Sequence, residues 1–124
     1  MKKIALTIAT LLLQLAFETS TQAEIQTENT ATSNTIKSYL ADNFCIPELK
    51  ASWYDNITGV TVIGDTVSVK TNLTSYNEKS SHICAGVSFF VFSNKNNSLG
   101  LHTIKVYSQS GGLLINRSGI SEKC

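Results

Sequence analysis

The sequence predicts an α+β fold: a single four-stranded antiparallel sheet with two helices on one face, in the order α-β-β-α-β-β. Three observations carry that expectation. Two stretches of β-branched residues alternate on either side of glycine-containing turns, and one stretch repeats its apolar residues at helical spacing. A second apolar stretch, long and capped, separates the two alternating pairs.

The N-terminus, "MKKIALTIATLLLQLAFETSTQA", has two lysines, an apolar run from Ile4 to Phe17, and small polar residues closing on Ala23. That layout is a secretory signal peptide, residues 1–23, cut after Ala23. Its roughly 14 apolar positions fall short of the roughly 20 that a spanning helix requires. Residues 24–31 read as a polar, flexible leader, and residues 32–124 as one α+β domain able to bury a single modest core.

Cleavage would remove Lys2, Lys3 and Glu18 from ten basic and nine acidic residues, leaving eight of each. A neutral chain lacks the cationic footprint that phosphate neutralisation needs. It also lacks the charge that draws proteins to anionic membranes. Neither nucleic acid nor, once the signal is removed, a membrane is therefore an expected partner.

Along the domain, Ile36, Tyr39, Leu40 and Phe44 recur at spacings of three and four, which predicts an amphipathic helix of about three turns. Thr32 or Ser33 is placed to cap its start, and Pro47 disfavours helical backbone at Ile46, so it stops near Cys45. In "ITGVTVIGDTVSVKTNL" a turn at Gly64-Asp65 sets Val62 against Val67 and Val60 against Val69. Four valines then share one face, while Thr61, Ser68 and Lys70 take the wet one.

The segment 76–94 fits either state. Its β-branched and aromatic content suits a strand, but its length and the capping-box pattern of Ser75 with Glu78 favour a helix. A second hairpin follows in "HTIKVYSQSGGLLINRS", where turning at Ser110-Gly111 pairs Val106 with Ile115. That register puts Ile104, Val106, Leu113 and Ile115 on one face. The resulting order suggests two αββ halves.

Export places Cys45, Cys84 and Cys124 where disulfides persist. Loop length does not choose between pairings, since each closes about 4 kcal/mol of chain entropy. Environment favours Cys84–Cys124, tying down a tail with only Ile120 as an apolar contact and leaving Cys45 reduced and buried. Cys45–Cys124 is the alternative.

For chemistry, His82 and Cys84 lie two apart and point in different directions on a helix, which disfavours a base–nucleophile pair. Zinc-ligand spacings are absent, as is a nucleophile elbow, so no metal and no cofactor are expected. The acidic residues are scattered, and the four Asn-X-Ser/Thr matches are what a chain rich in these residues gives by accident. The surface candidates are aromatic: Trp53 and Tyr54, adjacent at a strand entry, and Tyr107 on the face opposite Val106, with the composition of an interface anchor. Trp53 could equally close the open end of the core.

The expectation is a small periplasmic or secreted binding protein without enzymatic activity, recognising another protein as an inhibitor, immunity or envelope accessory factor would. Two alternatives stand beside it: an exported hydrolase using His82 or His102 with a serine, and a subunit that dimerises through Cys45.

Overall fold

The computed structural model describes residues 27–124, and the expected signal peptide lies outside the described residues. Asn29 caps the first helix: its side chain accepts a hydrogen bond from the Thr32 amide at the start of helix α1, Thr30–Phe44. The cap falls three residues before the first expected position, because Thr32 and Ser33 are needed inside the helix. Ser33 is fully buried, and its hydroxyl donates to the Asn29 carbonyl while accepting from the Val62 amide. Glu28 forms a β-bridge with Ile63, and the Asn29 amide donates to the Val62 carbonyl. The end of the expected leader is thus bound to a sheet edge. Asn29→Ala should cost about 1 kcal/mol of stability, read by urea denaturation, as the cap is lost while the backbone bridge remains.

A 3-10 turn, Tyr54–Asn56, leads into β1, Ile57–Ile63, and β2, Thr66–Thr71. Their register pairs Val62 with Val67 and Val60 with Val69, as the valine pattern predicts. Gly64 has φ 59°, a positive φ at the first central position of the turn that suits glycine.

Residues 78–91 are helical. Helix α2, Glu78–Val91, carries a capping box, but Asn77 and Ser80 make it rather than Ser75 and Glu78. Ile83, Cys84 and Val87 are fully buried, and Phe89 on the far side is 65% exposed. A second 3-10 turn, Asn94–Leu99, precedes β3, Thr103–Tyr107, and β4, Leu113–Ser118. These two 3-10 turns make the element order differ from the simple helix, hairpin, helix, hairpin expected.

The sheet order is β1-β2-β3-β4, and β2 runs parallel to β3, so the sheet is mixed rather than antiparallel. The reason is the crossover. Fourteen helical residues span roughly 21 Å, about the length of a six-residue strand at roughly 20 Å. Helix α2 therefore carries the chain back to where β2 began. There the amides of His102 and Thr103 both donate to the Asp65 carbonyl, and β3 starts beside Thr66. The two halves are consequently no repeat: the leading strand of the first hairpin is an edge, that of the second is central.

In the second hairpin Val106 faces Ile115 as expected, with Gly111 at φ 92° in the turn. A bulge then sets Tyr107 against Leu113, which is 52% exposed, and Leu114 packs on the core in its place. Valines of β1 and β2, Ile104, Val106 and Ile115 form one core with Ile36, Leu40, Ile83, Val87 and Phe90 of the helices.

Cys84 and Cys124 are paired at disulfide distance, with Cα atoms 5.8 Å apart. Cys45 is unpaired and only half-buried, because α1 ends beside it and the exposed 46–50 loop leaves its side open. Arg117 adds a second tie to the tail. Its guanidinium donates to Ser88 Oγ at 2.7 Å and to the Gly119 and Ile120 carbonyls, and it lies 4.7 Å over the Phe92 ring.

Candidate functional site: the open sheet face

Because strand side chains alternate, the register defines what the reverse face of the sheet presents. Across the four strands it aligns Ile63, Thr66, Thr103 and Ser118 in one row. The next row is Thr61, Ser68, Lys105 and Asn116, and the third is Gly59, Lys70, Tyr107 and Leu113. None of these twelve residues is buried. Both helices contribute to the core on the other face, so this one is open among the described residues.

At the third row the face deepens into a depression of about 460 Å³ bordered by Thr58, Lys70, Tyr107 and Gln109. Its floor is firmly held. Thr71 Oγ1 donates to the Tyr107 carbonyl at 2.8 Å, and the Gln109 amide donates to the Leu73 carbonyl at 2.7 Å. The turn itself is closed by the Ser108 amide on the Gly112 carbonyl and by the Gly112 amide on Ser108 Oγ. A depression built on backbone hydrogen bonds is preorganised, which lowers the ordering cost of binding.

The three aromatic candidates do not form one patch. Trp53 is 8% exposed, packs against Phe44 at 4.8 Å between ring centroids, and lies over Gly86. Its side chain is taken up by the core. Tyr54 is half-buried and borders a separate groove of about 390 Å³ between α1 and the outer edge of β1, with Lys37, Asp55 and Val60. Asp55 also pairs with Lys50 at 2.6 Å, and that hydrogen bond raises the Lys50 ammonium above its ordinary pKa. Tyr107 alone lies on the open face.

The histidines are apart. His82 sits on the exposed side of α2 with Glu78 at 3.8 Å, whereas His102 precedes β3 with Thr103 Oγ1 at 3.5 Å, beside a pocket bordered by Phe92, Asn97 and Gly119. Among the described residues no cluster of three or more His, Cys, Asp or Glu is arranged to hold a metal ion. No described helix is long and apolar enough to cross a membrane.

Lys70 was expected on this face, but sequence reasoning missed Lys105 and its place beside Lys70. Ser68 pairs with Lys105 and Lys70 with Tyr107 only because β2 and β3 are parallel, so the two lysines become diagonal neighbours. Compared with known family models, curated proteins and solved structures, the chain finds no match.

Proposed function

We propose that this is an exported, periplasmic or secreted, non-enzymatic binding protein that recognises another protein through the open face of its sheet. One observation carries the reading: twelve aligned positions, all at least partly exposed, form a broad surface whose far end holds a depression beside Tyr107. A flat surface ending in an aromatic-lined hollow suits a macromolecular partner, since the aromatic anchor gives large contact area at small ordering cost.

The edges are less suited than the face. Near Val62 the outer edge of β1 is occupied by Asn29 and Ser33, and β4 is bent by the bulge before Ile115. Both devices hinder the addition of a further strand. The Cys84–Cys124 pair supports export, because disulfides persist outside the cytosol.

The test is capture from the envelope fraction with a photo-crosslinking residue at position 68, followed by affinity measurement with the partner so found. Tyr107→Ala should weaken binding at least roughly tenfold with the circular dichroism spectrum and melting curve retained. Equal affinity for Tyr107→Ala and the parent protein would remove the face from the binding site.

A further inference from the structure

We infer that the surface contacted by this face is an acidic patch on a folded protein, oriented so that its carboxylates meet Lys105 and Lys70. The inference rests on the proposed use of the face and adds the charge and direction of its partner. Lys70 and Lys105 are the face's two charged residues, and neither has a carboxylate within 4.0 Å among the described residues. Around them stand groups that hydrogen-bond without charge: Thr61, Ser68, Asn116 and the Tyr107 hydroxyl.

Three acids without a salt-bridge partner among the described residues adjoin the other end of the face, whereas Asp55, beside Thr58 and Gly59 at the depression end, is paired with Lys50 at 2.6 Å. Asp65 lies in the turn after Ile63, where its carboxylate accepts from Thr66 Oγ1. Glu28 bridges to Ile63, and Glu122 accepts from the Ser118 amide. These residues adjoin the first row, while Lys105 and Lys70 occupy the second and third. The face is therefore polar along its strands, with acids at the Gly64–Asp65 end and two lysines toward the depression at the Ser108–Gly112 turn.

That polarity discriminates between anionic partners. A uniform polyanion or an anionic lipid surface laid along the face would meet Asp65, Glu28 and Glu122 as well as the lysines, and the chain's formal net charge is only +1. A folded protein can set carboxylates over one end and neutral or basic groups over the other, so charge complementarity fixes both partner and orientation. Tyr107, paired with Lys70, gives the same end an aromatic surface for the neighbouring side chains.

The experiment is an NMR titration of the ¹⁵N-labelled, oxidised protein with a peptide carrying two adjacent Glu residues, short enough to cover only the Lys70–Lys105 end, as probe, with phosphatidylglycerol vesicles and heparin, which would run the length of the face, as parallel probes. The expected result is shifts of the Ser68, Lys70, Lys105 and Tyr107 amides on adding peptide, diminished by salt. Lys70→Glu with Lys105→Glu should weaken the peptide roughly tenfold or more, Lys70→Gln with Lys105→Gln should do so less, and Lys79→Glu on α2 should leave it unchanged. Shifts confined to other surfaces, equal loss with Lys79→Glu, or binding of vesicles or heparin but not peptide would overturn the inference. Crosslinking from position 68 separates the two claims. A partner captured there and indifferent to the double charge reversal sinks the acidic patch and leaves the face as a binding site. No capture from positions 68 and 107 sinks both.

Discussion

Cys124→Ala should lower the stability of the oxidised protein by about 3 to 4 kcal/mol. The bond between Cys84 and Cys124 closes a loop with a sequence separation of 40, for which the chain-entropy model gives about 4 kcal/mol. Small domains are stable by only about 5–15 kcal/mol, so the loss is a large share of the whole. In a domain of this length it corresponds to a melting temperature lower by roughly 15–25 °C. Position 124 is the informative one to change. Cys84 is fully buried, and its replacement would alter core packing along with the cross-link, whereas Cys124 is only half-buried at the chain end.

Adding a reductant to the parent protein should reproduce the loss, and the variant should be insensitive to reductant. Cys45→Ala should keep the parent's sensitivity, since Cys45 takes no part in the bond. A loss of less than about 1 kcal/mol for Cys124→Ala would mean that Arg117, through Ser88, Gly119 and Ile120, secures the tail unaided.

The same pair illustrates which features a sequence discloses. The register of the first hairpin was legible because it follows from a local pattern with few alternatives, whereas the pairing of Cys84 with Cys124 was only favoured by environment over Cys45–Cys124. The Gly64-Asp65 turn places Val60, Val62, Val67 and Val69 together, and a one-residue slip would turn one strand's pair of valines to the open face. The helix over 78–91 was legible by its length, although its cap was misplaced: Ser75 and Asn77 both suit the position, and only the start of α2 decides between them.

Strand direction was within reach and was missed. A helix as long as the strands it joins reverses the chain once, and that makes β3 parallel to β2. With that step Lys105 joins Lys70 on neighbouring parallel strands, while the register that makes them diagonal is seen only in the structure. The bulge that exposes Leu113 is different, because nothing local in "GGLLIN" says which leucine turns inward. Nor does "SWY" say which aromatic is core. Trp53 is committed by a contact with Gly86, 33 positions along the chain, in a helix that must first be placed.

That contact gives the second large effect: Trp53→Ala should cost about 3 to 5 kcal/mol. The ring is 8% exposed and packs against Phe44, and a side chain of its size buries roughly 150–250 Å². If Trp53 were a surface anchor instead, the same substitution would leave the urea midpoint near that of the parent. Gly86 supplies a sharper test of the geometry. Alanine is intrinsically better than glycine inside a helix by roughly 1 kcal/mol, so Gly86→Ala alone would ordinarily stabilise. Here a Cβ would stand 2.8 Å from Trp53 Cη2 and 3.4 Å from Cζ2, too close without displacing the indole. Overpacking of this kind costs roughly 1–3 kcal/mol, so the net effect should be destabilising. In a Trp53→Phe background the shorter ring withdraws from that space, and Gly86→Ala should become neutral or stabilising. A coupling of about 1 kcal/mol or more across this double-mutant cycle, with that reversal of sign, identifies Trp53 as the residue that reserves position 86 for glycine. Additive effects would mean that helix α2 does not approach Trp53 as described.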